Sequence, residues 1–345
     1  MASQARFGAA ALCLIACVIM ARAQSSNGAS PKAQPQLSAP DRIRLAEAFR
    51  IGEKLGDKIW KGWSRAPFAV LLVTPEYEFL IRHPKPSEDF TRAGYDGLLK
   101  SDLYFRKRVF QPNLLATFPA VNGISTIVVG QAANTDARTS TPWVVTLLHE
   151  HFHQLQDSEP GFYSEVNALN LSRGDQTGMW MLNYAFPYEK EEIVRQFYVL
   201  GRALAEALQP APAEQFATRL RAYLEARSRF KAMLAADDYN YFSFQLWKEG
   251  VARYTEYRIA RLAAAGYKPG REFRALKDFN TFSQTADSIL TRINSELSVP
   301  SLERQRRVAF YAVGAAEALL LDRANPGWQR DYFREKFFLE RFFRP

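Results

Sequence analysis

The most distinctive chemistry in this 345-residue chain lies in the run His149-Glu150-His151-Phe152-His153, which holds three of its four histidines. His149 and His153 are four residues apart, so on an α-helix they share one face, about one turn from each other. Two imidazoles at this spacing can bind one Zn²⁺, and Glu150 beside the first can act on the metal-bound water. The run therefore predicts a zinc hydrolase with His149 and His153 as ligands and Glu150 as catalytic base.

His151 is expected to stand apart from this site. It lies about 200° round the helix from His149, which predicts a supporting position behind the site or a place at the surface. The residues from Val144 to Leu148 are mostly apolar, so the helix is expected to be buried. The alternative, a solvated cluster of histidines, is disfavoured because an apolar helix gains nothing from three histidines that have no function.

A catalytic zinc needs a third protein ligand and an open position for water. The one histidine outside the run, His83, lies far upstream. The acidic candidates downstream are Glu165, Glu249 and Glu256.

The segment from Trp247 to Tyr254 reads Trp-Lys-Glu-Gly-Val-Ala-Arg-Tyr. Together with the histidine run it resembles the gluzincin metallopeptidases of the broad peptidase-MA-like group. The resemblance covers mainly residues 124–155 and 245–257. It implies that Glu249, the Glu before Gly, supplies the third zinc ligand from a helix beyond the histidine helix. It also implies hydrolysis of peptide bonds in a peptide or protein substrate.

The chain departs from the family pattern in two places. Ninety-five residues separate His153 from Glu249, far more than in thermolysin or the aminopeptidases. Thermolysin-like proteins also place an Asp four residues after the ligand Glu to orient a histidine, and this chain has Arg253 there. Glu256, on the same helical face as Glu249, is an alternative for that task. A surface carboxylate paired with Arg253 is the competing interpretation of Glu256.

The resemblance implies two further roles. Residues Ile124 to Val129 fit the edge strand that pairs with extended peptide substrate in gluzincins, and a plain core strand is the alternative. In the family, a Tyr or His usually stabilises the oxyanion opposite the metal, which makes Tyr254, Tyr257 and Tyr311 candidates. Tyr311 is selected as the catalytic tyrosine, because the small residues after it permit close approach to a neighbouring element.

Residues 1–23 are expected to be a cleavable secretory signal. Arg6 precedes an apolar stretch from Phe7 to Met20, and Ala21-Arg22-Ala23 offers a small-residue cleavage site. A lipoprotein signal is the alternative, because the sequence before Cys17 resembles a lipobox that would carry a lipid on this cysteine. The protein is therefore expected to be secreted or periplasmic, or else anchored to a membrane by lipid.

The cysteine content and the net charge argue against several classes of function. Both cysteines, Cys13 and Cys17, lie in the signal segment, so the mature chain is expected to have no disulfide framework and no thiol nucleophile. The formal net charge of +9 falls to +7 when Arg6 and Arg22 leave with the signal. Because the basic residues are scattered among acids, a solvated surface is favoured over nucleic-acid binding.

The pattern of apolar runs predicts an α+β fold, with a small mixed N-terminal sheet packed on a mostly helical body. The resemblance to gluzincins implies that this body is zincin-like, with the metal site between the sheet and the helices. Residues 24–40 are expected to form a disordered linker. Residues 41–345 are expected to form one metallohydrolase domain. In this domain, residues 41–158 would contain the first helix, the sheet and the metal helix, and residues 159–345 would be helical. The expected strands are 68–73, 78–81, 114–118 and 124–129, and the expected helices are 41–58, 143–157, 188–209, 212–236, 243–265, 301–323 and 329–343.

Two other functions are compatible with the same residues. One is a zinc hydrolase that acts on a non-peptide amide. The other is an exported binding or scaffold protein in which the histidine run is a vestigial or purely structural metal site. Loss of Glu150 distinguishes catalysis from structure, because a structural site tolerates the loss of a base.

Overall fold

Residues 34–175 and 177–343 are described by a computed structural model of the chain. The predicted signal 1–23, with both cysteines, and residues 24–33 of the predicted linker lie outside the described residues. Among the residues described, no helix has the length and apolar character needed to cross a membrane.

Six strands form one mixed sheet in the N-terminal part of the chain. They are β1 (Val70–Val73), β2 (Tyr77–Ile81), β3 (Thr91–Asp96), β4 (Ser101–Lys107), β5 (Leu115–Val121) and β6 (Ile124–Gly130). Their spatial order is β3-β4-β2-β1-β6-β5. The β1–β6 pair is parallel and the other four pairs are antiparallel. All four residues of β1 are buried aliphatics, as expected for a strand that is covered on both faces.

The four strands predicted from apolar runs are present, with their ends shifted by a few residues. β3 and β4 are additional, because they are held by backbone pairing with each other and with β2 rather than by an apolar run. β6 pairs with β1 and with β5, so the interpretation of Ile124–Val129 as an edge strand is wrong. The outer strand on this side of the sheet is β5.

Twelve α-helices are found in the described residues. They are α1 (Ala39–Leu55), α2 (Ser140–Ser158), α3 (Phe162–Ala168), α4 (Trp180–Asn183), α5 (Glu191–Leu208), α6 (Ala213–Met233), α7 (Ala236–Gln245), α8 (Val251–Gly266), α9 (Arg271–Arg274), α10 (Phe282–Ser298), α11 (Leu302–Gln305) and α12 (Ala309–Ala324). One N-terminal sheet with a helical body confirms the predicted α+β class.

The first helix begins earlier than the sequence predicts. Ser38 rather than Asp41 is its N-cap, and the Ser38 hydroxyl accepts a hydrogen bond from the Asp41 backbone N–H at 3.2 Å. The last two residues of the predicted linker, Ala39 and Pro40, are therefore helical. Pro40 is compatible with this position because backbone N–H groups in the first turn of a helix have no acceptor within the helix. The missing N–H of proline therefore costs no hydrogen bond there.

Three other predicted helices need correction. The helix expected at 243–265 is interrupted between α7 and α8 by a π turn, Leu246–Gly250. The helix expected at 301–323 is broken at Arg306, whose φ of +49° is left-handed. The helix expected at 329–343 consists of irregular chain with two short 3₁₀ turns. α10 is an unpredicted helix, opened by a Thr281–Gln284 capping box.

The helix that carries the histidines, α2, lies between the sheet and the helical body. It packs against β5 and β6 of the sheet and against α1 and α8 of the helical body. In its first turn the Thr141 hydroxyl donates to the Asn280 carbonyl at 2.5 Å. Trp143 Nε1 donates to the Gly130 carbonyl, at the end of β6, at 2.9 Å. These bonds fix the start of α2, and hence the direction in which the histidines point.

Candidate metal centre

His149, His153 and Glu249 form a group that could hold a metal ion. The Nε2 atoms of the two histidines are 3.1 Å apart. Glu249 Oε2 lies 3.7 Å from Nε2 of His149 and 3.5 Å from Nε2 of His153. Metal bonds of about 2.0–2.1 Å at tetrahedral angles separate ligand atoms by about 3.3–3.4 Å. The three atoms are therefore spaced as one small cation would require.

Glu249 extends to the histidines from the π turn, and a close contact between two glycines fixes how near this turn lies to α12. π turns within helices recur at functional sites, because the extra residue redirects the side chains around it. A Cβ atom on Gly250 would lie 2.5 Å from Cα of Gly314 in α12. A Cβ on Gly314 would lie 2.6 Å from the Leu246 carbonyl oxygen. Only glycine allows this approach, so the glycine pair positions the segment that carries Glu249.

A buried ion pair joins the π turn to the end of α2. Lys248 Nζ lies 2.6 Å from Asp157 Oδ1. The other carboxylate oxygen of Asp157 accepts a hydrogen bond at 2.9 Å from the Ser125 hydroxyl in β6. This chain of contacts ties the sheet, the histidine helix and the turn that carries Glu249 into one unit.

Gln156 determines the tautomer of His153. Gln156 Nε2 faces three acceptors: the carbonyls of Trp247 and Lys248 and the Tyr332 hydroxyl, at 3.3, 3.2 and 2.7 Å. Its Oε1 therefore faces Nδ1 of His153, at 2.7 Å. Because an amide oxygen only accepts, Nδ1 carries the proton and Nε2 presents a lone pair to the centre.

Glu256 acts on His149 through the charge of its carboxylate. Its Oε1 lies 2.6 Å from Nδ1 of His149, so the proton of the neutral ring belongs on Nδ1 and Nε2 again presents a lone pair. Arg253, the other candidate partner of Glu256, makes its ion pair with Glu296 at 2.6 Å. Carboxylate partners of this kind orient metal-binding histidines and raise their basicity.

The charges of the centre favour a cation between its side chains. Burial disfavours a charged His149, but the carboxylates of Glu249 and Glu256 outweigh burial and raise the pKa of His149 to about 10. Burial also disfavours a charged Glu249, but the neighbouring His153 and His149 outweigh it and hold the pKa of this carboxyl well below its ordinary value. A metal ion can replace the positive charge that these groups favour.

Glu150 is buried beside the ligands and is held by the outer strand. Its Oε2 accepts a hydrogen bond at 2.7 Å from the hydroxyl of Thr117, in the middle of β5. Its charge contributes to the raised pKa of His149. The carboxylate therefore lies within electrostatic reach of His149 and next to β5, which has one neighbouring strand among those described.

Of the three candidate tyrosines, Tyr311 lies against a ligand. Burial, the Glu249 charge and a hydrogen bond with Glu249 raise the pKa of Tyr311 well above its ordinary value. Arg307, one turn earlier on the same face, donates a hydrogen bond from Nη1 to the Tyr311 hydroxyl. Tyr254 belongs to the core instead, where its hydroxyl contacts Asp322 Oδ1 at 2.8 Å. Tyr257 is partly buried against the core and is not among the contacts of the centre.

Two other residues considered from the sequence, His151 and Glu165, do not belong to this group. His151 is buried rather than exposed: its ring stacks on Phe68 with centroids 3.7 Å apart, and its Nδ1 contacts Gln154 Oε1 at 3.1 Å. It packs α2 against Phe68 and Trp63, away from the candidate ligands. Glu165 is exposed and pairs with Lys336 at 2.8 Å.

Three residues of the centre escape the sequence analysis. Gln156 could have been found, because it lies three residues after His153 on the same helical face. Thr117 and Arg307 carry no local signal, since each is brought to the site by the packing of β5 or α12.

Searches of protein-family models, curated proteins and solved structures found no match to this chain. The contacts described above are therefore the basis for assigning its chemistry.

Proposed function

We propose that the protein is a zinc-dependent hydrolase that cleaves peptide bonds, with His149, His153 and Glu249 as the metal ligands. Two imidazoles and one carboxylate match the ligand set of catalytic zinc sites, in which the fourth position stays open for water. The main support is the pair of Nε2 lone pairs, 3.1 Å apart and both near the Glu249 carboxylate. Without a shared cation or proton, lone pairs at that distance would repel each other.

Glu150 is the proposed general base. A bound Zn²⁺ supplies Lewis acidity, which lowers the pKa of a coordinated water to about 7. Glu150 follows the ligand His149 and accepts a hydrogen bond from Thr117 on one oxygen, Oε2. Its other oxygen can take the proton of the attacking water and later pass it to the leaving amine.

Tyr311 is the proposed donor to the oxyanion. Its raised pKa keeps the phenol protonated at neutral pH, so it can donate a hydrogen bond where negative charge develops. Arg307 donates to the Tyr311 oxygen, which leaves the phenol proton free for another acceptor. In the present arrangement that acceptor is Glu249, and the proposal requires the proton to turn to the substrate.

An extended peptide is the proposed substrate, and β5 is the strand it would lie beside. β5 pairs with β6 on one side only among the described strands. Thr117 in β5 contacts Glu150, so a peptide added to the open edge would run past the base. In strand addition, hydrogen bonds to the main chain of the peptide provide the affinity. This mode of binding suits a peptidase better than an enzyme for small amides.

A substrate panel with a matched pair of variants tests this function. Zinc-loaded protein is incubated with mixed peptides, an unfolded protein and small non-peptide amides. Glu150→Gln should keep its zinc and lose at least about 100-fold in kcat, because the amide keeps the shape but cannot accept the proton. Glu159→Gln, the same change just beyond α2, should behave as wild type. Full activity in Glu150→Gln would remove the base from the mechanism, and cleavage of small amides alone would favour the non-peptide alternative.

A further inference from the structure

Arg307 is a half-buried cation beside the candidate metal centre, and it forms no ion pair with any carboxylate that the structure describes. Its side chain donates from Nη1 to the Tyr311 hydroxyl and lies over the Tyr311 ring, with Cζ 5.7 Å from the ring centroid. Among the described residues, no carboxylate oxygen forms an ion pair with it. After Tyr311, the group whose charge most raises the pKa of Arg307 is Glu249, and a bound metal would neutralise that charge. Buried arginines are rarely left without a partner.

Two neighbouring arginines, in contrast, form ion pairs with carboxylates. Arg253 also approaches the Tyr311 ring, at 5.1 Å, but its charge is balanced by Glu296 at 2.6 Å. Arg306, next to Arg307 in the chain, pairs at the surface with Glu189 at 3.0 Å. Of these three arginines, Arg307 is the one for which no ion pair with a carboxylate is found in the described part of the chain.

The backbone at this point is strained. Arg306 has φ +49° and ψ −130°, where the short helix α11 ends and the chain turns into α12. A non-glycine residue in such a region costs free energy, and residues of this kind cluster at functional sites. Arg307 lies in the 3₁₀ turn Arg306–Val308 just before α12, four residues before Tyr311. From there its Nη1 reaches the Tyr311 hydroxyl, which lies next to Glu249.

Building on the proposed function, we propose that Arg307 binds the free C-terminal carboxylate of the peptide substrate, so that the enzyme releases residues from the C-terminal end. A guanidinium offers five N–H groups in a planar fork that matches a carboxylate through two parallel hydrogen bonds. Tyr311 takes one group on Nη1, which leaves the others for the substrate. A C-terminal carboxylate held there would place the preceding peptide bond near Tyr311 and the ligands.

A matched pair of peptides tests this specificity. Each peptide is offered to the zinc-loaded protein as the free acid and as the C-terminal amide. Wild type should prefer the acid by at least about tenfold in kcat/KM, about 1.4 kcal/mol. Arg307→Gln should bring the ratio close to one, mainly through a raised KM for the acid. Arg306→Gln, the same change at the neighbouring paired arginine, should keep the wild-type ratio. An unchanged ratio in Arg307→Gln, or no preference in wild type, would overturn the proposal.

A binding measurement separates this proposal from peptidase activity itself. Succinate carries two carboxylates and butyrate one, so the zinc-loaded protein should bind succinate at least about tenfold more tightly, with one carboxylate on Arg307. Arg307→Gln should lose that difference, and Arg307→Lys should keep part of it. If wild type cleaves neither peptide yet shows this Arg307-dependent preference, the peptidase function fails and the carboxylate site stands. Equal affinities for the two acids in wild type would overturn the carboxylate site.

Discussion

Glu256 Oε1 lies 2.6 Å from Nδ1 of His149, on the edge of the ring opposite the nitrogen that faces His153 and Glu249. The contact assigns the ring proton to Nδ1 and leaves Nε2 as a ligand. Carboxylates in this position usually contribute about 10- to 100-fold to metal affinity. Glu256→Gln should therefore weaken zinc binding by about that factor, measured by competition with a chelator.

The control for this variant is Glu165→Gln. Glu165 is exposed and pairs with Lys336 rather than with His149, His153 or Glu249. Equal zinc affinities for wild type and Glu256→Gln would show that the contact with His149 does not support the metal.

The glycine pair between the π turn and α12 gives a second prediction. Gly250→Ala and Gly314→Ala each force a Cβ atom to within about 2.6 Å of backbone. Overpacking of this kind costs about 1–3 kcal/mol of unfolding free energy, and it should also weaken zinc binding because Glu249 lies next to Gly250. Urea denaturation and zinc titration of the purified variants measure both effects.

Gly266→Ala is the matched control for the glycine pair. Gly266 ends α8, and no atom lies within 4 Å of a Cβ built there. Because alanine is the better helix former, the change should be neutral or stabilise the protein by up to about 1 kcal/mol. Variants at 250 and 314 that are as stable as this control would contradict the packing argument.

Burial lowers the pKa of His151 to about 3, which predicts a pH dependence of stability. The unfolded chain binds a proton at this ring below about pH 6.5, whereas the folded chain does so only near pH 3. The unfolded state therefore holds more protons between these values, and the free energy of unfolding falls as the pH drops through this window. Metal-free wild type should lose more stability between pH 7 and pH 5 than metal-free His151→Phe, by urea denaturation. Equal losses would contradict a buried, neutral His151.

Helical periodicity accounts for most of what the sequence predicts correctly. The spacing of His149 and His153 places both on one face of α2, and the half-turn offset of His151 places it on the other. Periodicity alone does not show whether the face that carries His151 is buried or exposed. His151 was expected to support the site or to be at the surface, and it packs on Phe68 in the core, because α2 is covered on both sides.

Contacts distant in sequence explain the rest. The resemblance to gluzincins selected Glu249, and the structure brings its carboxylate to the histidines. The π turn that carries it packs through Gly250 on Gly314, a contact that no local pattern shows. Thr117 and Arg307 reach the centre in the same way, through the sheet order and through the break before α12.

Zinc content, measured by mass spectrometry of metals on purified protein, tests the central claim most directly. Wild type and His151→Phe should each hold about one zinc ion per chain, because His151 packs on Phe68 and Trp63 rather than against the other two histidines. His149→Ala, His153→Ala and Glu249→Ala should each lose the ion or bind it far more weakly, while they stay folded by circular dichroism. Zinc retained in all three ligand variants, or lost equally in His151→Phe, would contradict a centre built from His149, His153 and Glu249.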